Sequence, residues 1–130
     1  MTNDADEPIR VLLVEDSDVY RDSLVFLLSR YDGLEVVGAV ANGESAAPAC
    51  GDLGADVVVI DYRLPDIDGE EAAEDVREAC PNTAIVFLSA SAGEQEVAAA
   101  HRSGAAFVRK DDGVDALVGA VRAAAERMGE

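Results

Sequence analysis

Five polar side chains follow closely on short apolar runs, and together they could do chemistry that none does alone. Glu15 and Asp16 follow IRVLLV, Asp61 follows DVVVI, Ser89 closes AIVFLS, and Lys110 comes just after AAFV. If these runs are adjacent strands, three carboxylates share one crevice, where a pair ~4 Å apart costs about 4 kcal/mol at an effective dielectric of ~20. Such a cluster needs a cation or raised pKa values.

A magnesium ion and phosphoryl transfer suit these residue types. Carboxylate oxygens and waters suit Mg²⁺, and the positions offer no nitrogen or sulfur ligands for softer metals. One carboxylate could attack phosphorus as the nucleophile while a lysine pairs with the phosphoryl oxygens. Lys110 is the only lysine in the chain, and its compact ammonium suits that role better than a planar guanidinium. Taken singly, each acid could instead be a solvated loop residue or a helix cap, and the lysine could be there by chance.

Five apolar runs predict five strands of a parallel sheet. The runs are rich in Val, Leu and Ile and mostly lack polar alternation, which is typical of strands buried on both faces. The predicted strands are residues 9–14, 34–40, 56–60, 84–89 and 105–108.

Segments with helical periodicity separate the strands, and several carry start signals. Asp68 with Glu71, and Ser91 with Glu94, have the spacing of capping boxes. Pro48 falls inside the second helical segment and should shorten or kink that helix. The first apolar stripe comprises Tyr20, Leu24, Leu27, Leu28 and Tyr31.

This alternation predicts an α/β fold of the (βα)5 type, a flavodoxin-like three-layer sandwich with a parallel sheet in the order 2-1-3-4-5. An eight-unit barrel does not fit five units. Open sheets of this kind bind ligands at the carboxyl ends of their strands, where the strand order reverses. Strands 1 and 3 flank that point, which predicts that Glu15, Asp16 and Asp61 share one crevice.

Length and composition favour a single soluble domain. A chain of 130 residues with 49% hydrophobic residues can bury a core. Its net charge of −17 argues against binding nucleic acid through phosphates, and apolar runs of about six residues are too short to span a membrane. We expect residues 1–8 to be a disordered acidic lead-in rather than a secretory signal, and residues 9–128 to form the domain.

The cysteines and the single histidine show no catalytic or metal-thiolate pattern. Cys50 and Cys80 are far apart in sequence and form no CxxC motif, so we expect two buried, reduced thiols. His101 lies in AAAHRSG and is expected to be an ordinary helix residue. Reduced thiols favour a cytoplasmic protein.

Four segments give the chain a resemblance to the response-regulator receiver domains of bacterial two-component signalling. They are VLLVEDSDVYRDSL, VVVIDYRLPDIDG, VFLSAS and GAAFVRKD, which occur in order at the spacing of that family. The similarity covers roughly residues 9 to 127. Two stretches, GLEVVGAVANGESA and GAAFVRKD, further resemble receivers of the NarL/LuxR type, which carry a C-terminal helix-turn-helix.

The resemblance implies a role for each strand-end residue. Asp61 would be the phosphoacceptor, taking a phosphoryl group from a sensor histidine kinase. Glu15, Asp16, Asp61 and the backbone carbonyl of Arg63 would hold Mg²⁺. Lys110 would pair with a phosphoryl oxygen.

The resemblance also implies a switch. Ser89 would move to hydrogen-bond the phosphoryl group, and the rotamer of Phe107 would follow Ser89. The face formed by helix 4, strand 5 and helix 5 would then dimerise or bind an output partner. Such a domain is a signalling switch and not an enzyme, apart from its own phosphorylation and dephosphorylation, and it binds neither nucleic acid nor membrane directly.

No effector domain follows the receiver-like region in this chain. Either the receiver acts alone, or it controls transcription through a C-terminal DNA-binding domain that lies outside the sequence. Both readings stay open.

The chain departs from the family pattern at a few positions. Glu15 is one carbon longer than the usual aspartate, and Phe107 lacks the hydroxyl of tyrosine. Asp111 stands where many members have proline, which disfavours the usual cis peptide after Lys110. Arg63 and Ser91 occupy the variable positions that tune autodephosphorylation in the family, and we expect Arg63 to overhang the phosphoryl group.

Two other functions are alternatives. A Mg²⁺-dependent phosphatase of the haloacid dehalogenase type also attacks from a strand-end aspartate, but it requires a second aspartate two residues later, where this chain has Arg63. A phosphorylation-independent interaction module typically loses one of the acids or the lysine, and all of them are present here.

Overall fold

The computed structural model describes residues 7–90 and 93–129 of the chain. Residues 1–6 of the predicted lead-in and the predicted tuning residue Ser91 therefore lie outside the described residues. The strands are β1 (Ile9–Val14), β2 (Leu34–Val40), β3 (Val57–Asp61), β4 (Ala84–Ser89) and β5 (Ala106–Arg109). The helices are α1 (Asp18–Leu28), α2 (Ala46–Leu53), α3 (Gly69–Ala79), α4 (Glu94–Ser103) and α5 (Val114–Gly129), with short 3-10 helices at Gly43–Ser45 and Lys110–Asp112.

The five strands form one parallel sheet in the order β2-β1-β3-β4-β5. The predicted flavodoxin-like sandwich is confirmed, with β1 and β3 side by side at the centre. Strands β1, β2 and β4 have the predicted bounds, whereas β3 and β5 lie one residue further along the chain. Strand β3 extends to Asp61 because that residue still pairs with Leu88 of β4.

Two apolar cores cover the two faces of the sheet. On one face, α1 and α5 pack against the strands through Leu24, Leu28, Leu117, Val118 and Val121. On the other face, α2, α3 and α4 contribute mostly small side chains, namely Ala46, Cys50, Ala72, Ala73, Val76 and Ala100. The central strand β3 is buried along its whole length, as expected for a strand covered on both faces.

Of the two predicted helix starts, that of α3 is confirmed and that of α4 differs. Asp68 caps α3 as predicted, because its side chain accepts a hydrogen bond from the backbone N–H of Glu71 at 2.8 Å. Helix α4, however, begins at Glu94 with Gly93 as its N-cap, later than the predicted capping box implies, and Ser91 itself lies outside the described residues.

The second helix is short, and Pro48 lies in its first turn. The segment begins as the 3-10 helix Gly43–Ser45 and continues as the eight-residue helix α2. A first-turn residue has little need of its own backbone N–H, so Pro48 is tolerated there without a break in the helix interior. Helix α2 is short, with eight residues, but Pro48 lies near its start and not in its interior as predicted, and the helix ends with Gly54 as its C-cap.

The two cysteines differ in burial. Cys50 is buried, whereas Cys80 is only partly buried because it is the C-cap of α3, so the prediction of two buried thiols holds for Cys50 alone. Both are free thiols. Burial raises the pKa of the Cys50 thiol to about 11; the neighbouring Cys80 adds to this rise, whereas the hydrogen bond with Thr83 acts to lower the pKa.

Two further findings concern the described part of the chain. All of its peptide bonds are trans, including the one between Lys110 and Asp111. None of its helices combines the length and the apolar character needed to cross a bilayer.

Candidate functional site

Three carboxylates meet at the carboxyl ends of β1 and β3. Glu15 follows β1 and is 2% exposed, Asp61 ends β3 and is 6% exposed, and Asp16 is exposed to solvent. One carboxylate oxygen from each residue lies within 4.8 Å of the others. The predicted crevice is therefore present, because adjacent parallel strands bring their carboxyl ends to the same edge of the sheet.

Lys110 reaches this cluster from the 3-10 helix that follows β5. Its Nζ donates to Oε1 of Glu15 at 3.0 Å and to Oδ2 of Asp61 at 3.1 Å. Desolvation acts to lower the pKa of Lys110, but the hydrogen bond to Glu15 and the charge of Asp61 outweigh it and raise the pKa above its ordinary value. Lys110 is therefore a charged ammonium at neutral pH.

The residues present suit a divalent cation. Three carboxylates and one ammonium leave an excess of two negative charges, which matches the charge of Mg²⁺. The oxygens are hard donors, and the cluster contains neither histidine nor cysteine. The exposed Asp16 gives the cluster an open side toward solvent, where an ion could keep some of its waters.

The first turn of α1 fixes Glu15. The backbone N–H of Ser17 donates to Oε2 of Glu15 at 2.9 Å, and the guanidinium of Arg21 donates to the backbone carbonyl of Glu15 at 2.8 Å. Arg21 is itself held by an ion pair with Asp18 at 2.5 Å. The start of the helix that follows Glu15 thus orients both its side-chain carboxylate and its backbone carbonyl.

Tyr20 belongs to the site, although its sequence pattern assigns it to an apolar helix stripe. The Nζ of Lys110 lies over the Tyr20 ring, 4.4 Å from its centroid. Burial raises the pKa of the Tyr20 hydroxyl, while the charge of Lys110 acts in the opposite direction. The sequence does not predict a role for Tyr20 in the site, because its position in the apolar stripe already accounts for an aromatic residue there. Its partner Lys110 also lies near the other end of the chain.

The loop between β3 and α3 is held by hydrogen bonds from backbone N–H groups to side-chain carboxylates. The N–H of Arg63 donates to Oδ1 of Asp61 at 3.0 Å, so the two carboxylate oxygens of Asp61 have different partners. Further along, the carboxylate of Asp66 accepts from the backbone N–H groups of Gly43 and Glu44, each at 2.8 Å. Asp66 therefore ties this loop to the start of the second helical segment. No sequence signal marks that contact.

Ser89 and Phe107 lie on neighbouring strands and on the same face of the sheet. Ser89 ends β4 and is 1% exposed, and Phe107 of β5 pairs with Phe87 of β4. Side chains two residues apart on a strand share a face, so Ser89, Phe87 and Phe107 all face the α2–α3–α4 side. Phe107 is partly buried, as a side chain that could change rotamer would be.

The structure brings four of the predicted site residues into direct proximity, namely Glu15, Asp16, Asp61 and Lys110. The side chain of Arg63 is exposed at the rim, two residues after Asp61. Its position over a phosphoryl group and the role of its carbonyl as a metal ligand stay predictions, as do the roles of Ser89, Phe107 and Ser91.

A family model for the response regulator receiver domain matches residues 11–122. Among curated proteins, the chain is 32% identical over 120 residues to the transcriptional regulatory protein YxjL of Bacillus subtilis. It is 31% identical over 116 residues to the response regulator protein VraR of Staphylococcus saprophyticus. These alignments cover 92% and 88% of this chain but 55% and 56% of the relatives, so the chain spans about half the length of the curated relatives it matches.

Solved structures give the same result. The signal receiver domain of NarL from Mycobacterium tuberculosis is 31% identical, with a TM-score of 0.85, over 92% of this chain and 98% of that chain. The response regulator domain of CheB from Thermotoga maritima is 27% identical, with a TM-score of 0.84 over the same shares. The predicted similarity to NarL/LuxR-type receivers is confirmed. The chain belongs to the response regulator receiver domain family of two-component systems.

Proposed function

We propose that this domain accepts a phosphoryl group on Asp61, with Mg²⁺ bound beside it, and then changes a partner-binding face. The observation that carries the proposal is the setting of Asp61: it is 6% exposed, shares the acidic cluster with Glu15 and Asp16, and accepts a hydrogen bond from Lys110. Membership of the receiver family supports the same function.

In this proposal, a carboxylate oxygen of Asp61 forms a bond to phosphorus while the bond from phosphorus to the donor breaks. The donor is the phosphorylated histidine of a sensor kinase, whose imidazole leaves and takes up a proton. Lys110 keeps a positive charge beside the carboxylate and pairs with a phosphoryl oxygen. Glu15, Asp16, Asp61 and the carbonyl of Arg63 would hold Mg²⁺, which supplies neutralisation of the charge on the phosphoryl oxygens.

The switch would run from Ser89 to Phe107. Ser89 would turn toward the phosphoryl group and donate a hydrogen bond to it from its hydroxyl. The Phe107 side chain would then change rotamer and fill the space that Ser89 leaves on the same face of the sheet. Their positions on adjacent strands support this coupling. Phosphorylation would bias an equilibrium between two existing conformations of the face formed by α4, β5 and α5.

The partners follow from the family and its relatives. A sensor histidine kinase would supply the phosphoryl group in the cytoplasm, and the α4–β5–α5 face would bind an output domain, an output protein or a second copy of the chain. The name of YxjL, a transcriptional regulatory protein, supports regulation of transcription as the output. The domain would act as a switch without other enzymatic activity and would not bind DNA itself.

Arg63 would set the lifetime of the phosphorylated state together with Ser91. The exposed Arg63 side chain begins two residues after Asp61, close enough to overhang a phosphoryl group. Arg63→Ala should change the decay rate of the aspartyl phosphate, measured by intact mass over time. An unchanged rate contradicts this role.

The proposed function is tested by incubating the protein with Mg²⁺ and acetyl phosphate and measuring its intact mass. We expect one added phosphoryl group in the parent and none in Asp61→Asn, which keeps the shape of the side chain. Omitting Mg²⁺ should suppress the adduct. If the parent gains no phosphoryl group at several time points although Mg²⁺ binding is confirmed, the domain is a phosphorylation-independent interaction module.

A further inference from the structure

The ammonium of Lys110 is surrounded on three sides. Two sides are carboxylates, with Nζ 3.0 Å from Glu15 and 3.1 Å from Asp61. The third is the face of the Tyr20 ring, with its centroid 4.4 Å from Nζ. The face of an aromatic ring carries partial negative charge and attracts a cation within about 6 Å.

The backbone of Tyr20 is positioned by the N-terminal cap of α1. Tyr20 lies in the first turn of α1, and its backbone N–H donates to Oγ of Ser17 at 3.3 Å. Ser17 in turn donates its own N–H to Glu15 at 2.9 Å. The turn that orients Glu15 therefore also places the backbone from which the Tyr20 ring extends, and both side chains approach the same ammonium.

The ring differs from the two carboxylates in what it can do when the site is occupied. Glu15 and Asp61 are also the candidate metal ligands, and Asp61 is the candidate phosphoacceptor, so a bound cation or phosphoryl group would compete with Lys110 for them. The ring of Tyr20 neither binds Mg²⁺ nor accepts a phosphoryl group in this chemistry. It can keep attracting the ammonium while its other partners change.

We propose that Tyr20 is a positioning residue that holds the ammonium of Lys110 beside Asp61 through the face of its ring. This inference rests on the proposed function for its consequence, namely faster phosphorylation of Asp61, but its geometry can be tested separately. The ring face carries the interaction, so the hydroxyl is dispensable. Tyr20→Phe should therefore keep the ammonium of Lys110 in place, whereas Tyr20→Leu should not.

The geometric test is an NMR measurement that uses the single lysine of the chain. Protein labelled with ¹³C at lysine Cε gives one side-chain methylene signal, which belongs to Lys110. A methylene group above an aromatic ring is shielded by the ring current. We expect a shielded signal in the parent and in Tyr20→Phe, and a signal near the position for free lysine in Tyr20→Leu.

A matched control lies on the same helix. The guanidinium of Arg30 lies over the exposed ring of Phe26, 5.4 Å from its centroid. Phe26→Leu removes an aromatic ring of α1 from a cation that lies just beyond the end of the helix, and it leaves the Lys110 pair intact. Its Lys110 signal should match that of the parent. Backbone amide spectra establish that each variant is folded, and Tyr20→Met replaces Tyr20→Leu if the latter does not fold.

The functional test is the initial rate of phosphorylation by acetyl phosphate with Mg²⁺, followed by intact mass. We expect Tyr20→Leu to react about three- to tenfold more slowly than the parent, a range typical of one partly buried cation–π contact. Tyr20→Phe and Phe26→Leu should react within about twofold of the parent. Equal rates and equal Lys110 signals in Tyr20→Leu and the parent would overturn the inference, and so would a Tyr20→Phe variant as slow as Tyr20→Leu.

Failure of the proposed function gives a different result. If the parent accepts no phosphoryl group, the rates carry no information on Tyr20, but the NMR comparison still does. Shielding that is kept in Tyr20→Phe and lost in Tyr20→Leu then supports the positioning of Lys110 and contradicts only the proposed phosphorylation. Absence of shielding in the parent overturns the positioning itself.

Discussion

The three acids of the cluster differ in whether a positive charge is paired with them. Glu15 and Asp61 share the ammonium of Lys110 and are almost fully buried, whereas Asp16 is exposed and lies near both of them. Nearby like charges disfavour the ionised cluster unless a cation is bound. Asp16 is therefore the acid whose charge should cost stability in the absence of metal.

Replacing Asp16 with asparagine should make the metal-free protein more stable by about 1 kcal/mol, because it removes a repelling charge and leaves both ion pairs of Lys110 in place. The same change should greatly reduce the stabilisation that Mg²⁺ provides, because it removes a ligand. Unfolding measured in EDTA and in Mg²⁺ tests both effects. Asp22→Asn, which neutralises an exposed acid on α1, should change neither stability. A destabilised Asp16→Asn protein in EDTA would contradict the argument.

At the level of residues, the sequence predicts the acids and the lysine and misses the groups that hold them. Glu15, Asp16, Asp61 and Lys110 follow buried strands, so the fold alone predicts that they converge. The roles of Tyr20 and Asp66 depend on how far a side chain reaches across the structure. Periodicity and spacing along the chain carry no information on that reach.

Among the elements, the connection from β3 to α3 is closely packed at its end. Gly69, the first residue of α3, lies against the loop so closely that an added Cβ would be 2.8 Å from the Cα of Tyr62 and 2.9 Å from the backbone oxygen of Asp61. These are backbone atoms, so no side-chain rotation can relieve the overlap. Asp66 fixes the middle of the same loop to the N–H groups of Gly43 and Glu44.

Gly69→Ala should destabilise the protein by roughly 1–3 kcal/mol, because the added methyl group must displace the backbone that follows Asp61. Gly51→Ala is the matched control: an added Cβ there meets nothing within 4 Å, and alanine favours the helix, so stability should rise by up to about 1 kcal/mol. Denaturant unfolding of the two variants checks the contrast. Equal effects on stability would show that the crowding at Gly69 is relieved at little cost.

The sequence predicts the bounds of the strands more accurately than the start of helix α4. Strand bounds came out within one residue because buried parallel strands are continuous apolar runs. The start of α4 was wrong because a serine and a glutamate at capping distance do not determine which residue begins the helix. Local spacing predicts a helix well and its first residue poorly, since the preceding chain decides where the first turn begins.

For the molecule as a whole, one contribution to the pH dependence of stability in alkaline solution comes from the buried thiol of Cys50 in α2. Burial raises the pKa of Cys50 to about 11, whereas an exposed thiol ionises near pH 9. Between these values the unfolded chain loses its proton first. The contribution of Cys50 to stability is therefore full below about pH 9 and is lost as the pH rises toward 11.

Comparison of the parent with Cys50→Ala isolates this contribution, since all other titrating groups are shared. The parent should be more stable at neutral pH, because alanine leaves a small cavity. The advantage should shrink by about 2 to 3 kcal/mol between pH 9 and pH 11, as follows from the raised pKa. Urea unfolding at several pH values gives the difference. A constant difference across this range would contradict the prediction.

The contacts of Lys110 also bear on how the domain forms. This residue is 95 positions from Glu15 and 49 from Asp61, so both of its ion pairs close long loops, and the pair with Glu15 closes one that spans most of the chain. Long loops close late in folding, because their entropy cost must be met before the contact forms. A nascent or partly folded chain thus presents Asp61 without its ammonium partner. Under the proposed function, the reactive centre would exist only once the first and last strands are joined in one sheet, so signalling competence would coincide with completed folding.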